Sequence, residues 1–148
     1  MSNHPYIRAY MAGVSVPTLI MPLLLVTYIM ARFVFRVPVP IERGMVFPMA
    51  LVPNIFGLWN MLYQRLQRSA PVNIGLHGAI LPFLIGPCGY VIAHSLGFVT
   101  LQQSTITWFG EITVSYALVA VGFCVAVTVY YLVWKYVVNF FNETLGIA

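Results

Sequence analysis

Four stretches of this chain contain no charged side chain: residues 9–31, 44–64, 69–110 and 112–134. A helix needs about 20 mainly apolar residues to cross the hydrocarbon of a bilayer. The first, second and fourth stretches are each one span long. The third is too long for one span, and a polar cluster from Gln102 to Thr107 divides it into a helix and a loop. This predicts an all-α, polytopic membrane protein. The expected architecture is a four-transmembrane-helix bundle forming one integral membrane domain over residues 1–148, with helices over about 9–33, 44–63, 73–100 and 111–140.

Composition points the same way. Hydrophobic residues make up 61% of the chain and charged residues 7%, where a soluble domain carries about a quarter. The acids are Glu42, Glu111 and Glu143, with no Asp. So few acids argue against an aspartyl intramembrane protease or a carboxylate–metal enzyme, and no enzymatic role is assigned. The net charge of +4 comes from basic residues scattered at predicted helix ends. That distribution fits interfacial anchoring and not a nucleic-acid surface. Cys88 and Cys124 fall mid-span and read as reduced packing residues. The first apolar run is longer than a signal-peptide core and reads as a retained helix. Short loops make neighbouring helices antiparallel. Arg8, Arg65, Arg68 and Lys135 then share one side against Arg32, Arg36 and Arg43, which puts both termini in the cytoplasm of a plasma-membrane protein.

Within the apolar runs a Gly-x3-Pro-x4-Pro pattern occurs three times: Gly13, Pro17, Pro22; Gly44, Pro48, Pro53; and Gly78, Pro82, Pro87. A helical proline lacks an N–H and crowds the carbonyl four residues earlier. In each copy the first proline frees the carbonyl of the repeat's own glycine, the residue best able to bend away. Helices one to three are therefore expected to be kinked, with the second prolines near mid-span. A freed carbonyl cannot face lipid at low cost, so the kinks should point into the bundle. Such broken helices either shape packing or surround a polar midplane site, as in transporters.

The polar side chains inside the runs are the candidate site residues. Asn60 and His94 each follow a second proline by seven residues, about two helical turns. Asn54 lies on a small and polar stripe with Ala50, Gly57, Met61 and Gln64. Between membrane helices these amides serve either as hydrogen-bond glue or as substrate contacts. Glu111, after Gly110, is a helix-dipole charge or a cation site at a cavity mouth. No metal site is expected. His77 and His94 are 17 residues apart on one helix, about 25 Å, so they cannot share an ion. Axial haem ligation by either one would need a partner from another chain or copy, and a quinone could contact either. Asn142-Glu143-Thr144 matches a glycosylation sequon, a motif short enough to arise by chance. Tyr130, Tyr131, Trp134 and Tyr136, with Lys135 among them, read as interfacial anchors.

Gly89, Ala93 and Gly97 recur every fourth residue. Such a seam permits close helix contact and marks a homo-oligomer or partner-subunit interface. Two functions follow. One is a small transporter or channel-like protein for neutral or weakly polar cargo. The other is an accessory or anchor subunit of a membrane complex. A hydrated mid-span cavity edged by Asn60 and His94 would favour the first. A dry core with the small seam facing outward would favour the second.

Overall fold

The computed structural model describes residues 4–37, 47–110 and 112–147. Four long helical stretches dominate them: α1 (Pro5–Phe33), α2 (Phe47–Gln67), α3 (Ile74–Ser95) and a C-terminal stretch. The last runs as α4 (Tyr116–Leu132), a π-helical segment (Val133–Val138) and α5 (Asn139–Thr144). Local chemistry explains the starts. Pro5 opens α1, where a missing N–H costs nothing. The Asn73 side chain accepts the N–H groups of Gly75 and Leu76 at the start of α3. Ser115 accepts the Leu118 N–H at the start of α4.

The stretch between α3 and α4 departs from the expected loop. It forms a three-stranded antiparallel sheet, β1 (Val99–Leu101), β2 (Thr105–Trp108) and β3 (Ile112–Ser115), in the order β1-β2-β3. Thr100 pairs with Thr107, and Ile106 with Val114. Helix three was expected to reach residue 100 but ends at Ser95. The Gly97 N–H bonds to the His94 carbonyl at 3.0 Å and the Phe98 N–H to the Ala93 carbonyl at 2.8 Å. With Gly97 at φ +71°, this is a helix-terminating Schellman arrangement. Gly97 is therefore a stop, not the third residue of a helical seam. Beyond it, β-branched residues in Thr105-Ile106-Thr107 and Ile112-Thr113-Val114 prefer extended backbone. Helix four accordingly begins at Tyr116 and not near 111. Against the all-α expectation, the described residues are thus mostly helical with one small sheet.

Among the described residues, three helical stretches are long and apolar enough to cross a membrane: Pro5–Phe33, Ile74–Ser95 and Tyr116–Thr144. Helix α2 is as long as a span but carries Asn54, Asn60, Gln64, Arg65 and Gln67. Chain direction alternates, so the start of α1, the end of α2, the start of α3 and the C-terminal residues gather at one end. The core sits there. Val16, Phe56, Ile74, Leu81, Trp134 and Val138 form its buried cluster. Towards the other end apolar side chains stand uncovered, as at Leu23 (69% exposed), Val91 (62%) and Leu118 (61%).

Pro17 and Pro22 lie inside α1, Pro53 inside α2, and Pro82 and Pro87 inside α3. Pro48 is in the first described turn of α2. The first prolines, Pro17 and Pro82, are buried, while Pro22 and Pro87 are exposed. Those two second prolines therefore sit on the outer surface of the described chain and not on an inner wall. Gly44 lies outside the described residues, as does Glu111.

Candidate functional site

The structure does not bring the sequence-predicted polar residues together. Asn54 is exposed; it accepts the Tyr10 hydroxyl at 2.5 Å and donates to the Ala50 carbonyl. His94 is exposed near the sheet, its Nδ1 3.1 Å from the Val99 carbonyl and its ring stacked on Tyr90. Asn60 lies at the opposite end of the bundle, wholly buried.

Asn60 belongs to a junction of three helices. Its Nδ2 donates to the Ala9 carbonyl of α1 at 2.8 Å and to Asn142 Oδ1 of α5 at 2.7 Å. Asn142 Nδ2 donates back to Asn60 Oδ1 at 3.2 Å. Asn142 is 1% exposed, which removes the sequon as a glycosylation site. Sequence reasoning missed its structural role. The available signal was Trp134, Val138 and Asn142 at four-residue spacing, all three of them buried.

A second clasp ties α2 to α3. Trp59 Nε1 donates to the His77 carbonyl at 3.0 Å, and His77 Nε2 lies 3.1 Å from the Trp59 carbonyl. A carbonyl only accepts, so His77 carries its proton on Nε2 in this arrangement. Its ring stacks on Trp59 at 4.7 Å, meets Trp134 edge-on at 5.7 Å and faces Tyr63 at 5.3 Å. Trp134, expected as an interfacial anchor, is instead fully buried. It fills the notch left by Gly78, where an added Cβ would collide with its ring. Its indole N–H has no acceptor among the described residues.

Both clasps reach one cavity of about 260 Å³, lined by Tyr63, Gln64, Gln67, Asn139, Asn142 and Ile147. Gln67 Nε2 donates to the Tyr63 hydroxyl and to the Val72 carbonyl, both at 2.5 Å. Gln64 Nε2 reaches the Ile147 carbonyl at 3.4 Å, and Asn139 Nδ2 donates to Glu143 Oε1 at 2.6 Å. The Tyr63 proton and the side-chain carbonyl oxygens of Gln64, Gln67 and Asn139 keep unused hydrogen-bonding capacity towards the described residues. The lining carries no formal charge. Its chemistry is that of neutral donors and acceptors side by side. No three His, Cys, Asp or Glu side chains gather among the described residues to hold a metal ion.

The described glycines divide into four groups, one of them Gly86 alone, whose added Cβ would meet the Phe123 ring at an ordinary 3.6 Å. Gly13, Gly57, Gly75 and Gly78 lie where an added Cβ would collide with a neighbouring helix. Gly97, Gly110 and Gly146 have positive φ and serve turns. Gly89 on α3 and Gly122 on α4 have neither reason, with nothing within 4 Å of an added Cβ. Cys88 and Cys124, nearby in sequence, are exposed. Comparison with models of known families, with curated proteins and with solved structures finds no significant match.

Proposed function

We propose that this chain is an integral membrane protein acting as a subunit of a larger membrane assembly, docking through the open surface of α3 at Gly89 and of α4 at Gly122. The observation that carries this reading is the division of the glycines. Inside the bundle, glycine is used where another helix presses close. Gly89 and Gly122 offer the same close approach with nothing of this chain to fill it. Small residues let membrane helices approach each other closely. Uncovered apolar side chains along α1, α3 and α4 fit lipid or a partner helix and not water. The prolines of α1, α2 and α3 bend these spans, and the chain sits in the plasma membrane with both termini in the cytoplasm. Transport is the lesser reading, because it needs Asn60 and His94 on one wall, and they occupy opposite ends of the bundle.

The test is assembly size in native membrane extracts captured in polymer-bounded lipid discs, measured by light scattering. The wild-type chain is expected in a particle holding more than one protein chain. Gly89→Leu and Gly122→Leu should weaken that assembly on the order of tenfold. Their unfolding midpoints should stay near wild type, since nothing in the described chain lies within 4 Å of an added Cβ at either position. A lone chain in wild-type extracts, or an assembly untouched by both substitutions, would refute the proposal.

A further inference from the structure

We infer that the cavity between the end of α2, α5 and Ile147 binds an uncharged polyhydroxylated group, a sugar ring presented either as a free saccharide or as the head of a glycolipid. The volume is the first argument. About 260 Å³ lies just under the roughly 300–1,000 Å³ of small-molecule sites. At about 30 Å³ per water, it admits one ring-sized polar group and not a long chain.

The lining is the second argument. An ion entering the cavity would lose hydration against a lining of neutral side chains, which is costly, while the nearest formal charges, Arg8 on the Leu145 carbonyl and Glu143 on Asn139, are of opposite sign and already hydrogen-bonded. A hydroxyl both donates and accepts, and the cavity offers both. The Tyr63 proton is available because its oxygen already accepts from Gln67. The Gln67 amide spends its nitrogen on Tyr63 and Val72, leaving its carbonyl oxygen open. Asn139 likewise spends Nδ2 on Glu143 and keeps Oδ1. The Tyr63 ring and Ile147 add apolar surface for the C–H face of a sugar.

Preorganisation is the third argument. Asn142 at the cavity wall is held by the reciprocal amide pair with Asn60. Tyr63 is braced against the His77 ring. The site is therefore built on the two clasps that join the helices. The cavity lies at the polar end of the bundle, where His4, Arg8, Arg65 and Arg68 also sit. Only the glycolipid source rests on the membrane reading; the saccharide source does not.

The experiment uses the full chain in phosphatidylcholine nanodiscs. One arm titrates D-glucose. A second compares discs containing monoglucosyldiacylglycerol with discs containing phosphatidylglycerol. Saturable binding is followed by the intrinsic fluorescence of the three tryptophans, Trp59, Trp108 and Trp134, and by the unfolding midpoint. Response to glucose, or to the glucolipid alone, supports the proposal and identifies the source. Tyr63→Phe should weaken the response about tenfold, the loss of one well-placed hydrogen bond at the upper end of its usual range. Ile147→Phe, which fills the cavity from the chain end and adds no tryptophan to the readout, should abolish it. The inference is overturned by no saturable response to either sugar probe. A response equal in wild type and both variants, or one specific to phosphatidylglycerol, overturns it too. Failure here leaves assembly size unaffected, so the two proposals fail separately.

Discussion

Gly13→Ala is expected to destabilise the protein by about 3 kcal/mol, at the upper end of ordinary overpacking costs. A methyl group there would run into the Phe56 carbonyl oxygen and come within 2.9 Å of the Gly57 Cα. Both obstacles are backbone, so no rotamer change relieves them, and α1 and α2 must move apart. The facing Gly57 is equally tight against Tyr10 and Val14, so the contact cannot slide by one residue. Equilibrium unfolding in lipid discs measures the effect. Gly89→Ala provides the contrast: with open space at its Cβ, it should lie within about 1 kcal/mol of wild type, on the stabilising side from helix propensity. Equal stability of the two variants would mean that α1 and α2 do not meet at Gly13.

The second large effect is expected at Asn60. Asn60→Leu removes the partner of both Asn142 amide atoms and the second donor to the Ala9 carbonyl in a buried junction. A buried polar group left without a partner costs about 1–3 kcal/mol, so a loss of about 3 kcal/mol is expected. Asn142→Leu should cost nearly as much. The double variant should recover at least about 1 kcal/mol relative to the sum, because replacing both partners leaves fewer orphaned groups. A thermodynamic cycle on the four proteins reads this coupling directly. Strict additivity would show that the two amides do not act as a pair.

These residues show where sequence reasoning reaches. Asn60 stood out in the chain because an amide in an apolar helix must find a partner. Its partner did not, because Asn142 sits in a polar tail, and only the path through the π-helical Val133–Val138 segment carries it back to α2. His94 matched Asn60 in its spacing from a proline. Yet α3 ends one residue beyond it and leaves it exposed against Val99. Equal spacing along two helices says nothing about their relative height. The sheet was legible in part, through the β-branched residues of Thr105–Trp108 and Ile112–Ser115. Reading the stretch by its polarity alone hid that alternation.

The cavity was not legible at all. Tyr63 and Asn139 stood at the expected ends of helices two and four and Gln64 on the stripe of helix two, and nothing along the chain set Gln67 or Ile147 beside them. Their meeting depends on the chain end folding back on α2, a contact between residues more than 80 positions apart.

The repeat marks the same boundary. Sequence alone determined that Gly13 and Gly78 lie under prolines within long apolar helices, because charge density and spacing are properties of the chain. It also determined the length of those helices to within a few residues wherever a proline or polar run ended them. Tertiary structure decided what the two glycines do. Each is a notch, filled by the Phe56–Gly57 backbone in one case and by Trp134 in the other. The physical reason is that a missing Cβ has two uses, freedom to bend and room for a neighbour. The first is a local property that spacing can suggest, whereas the second exists only once another helix arrives.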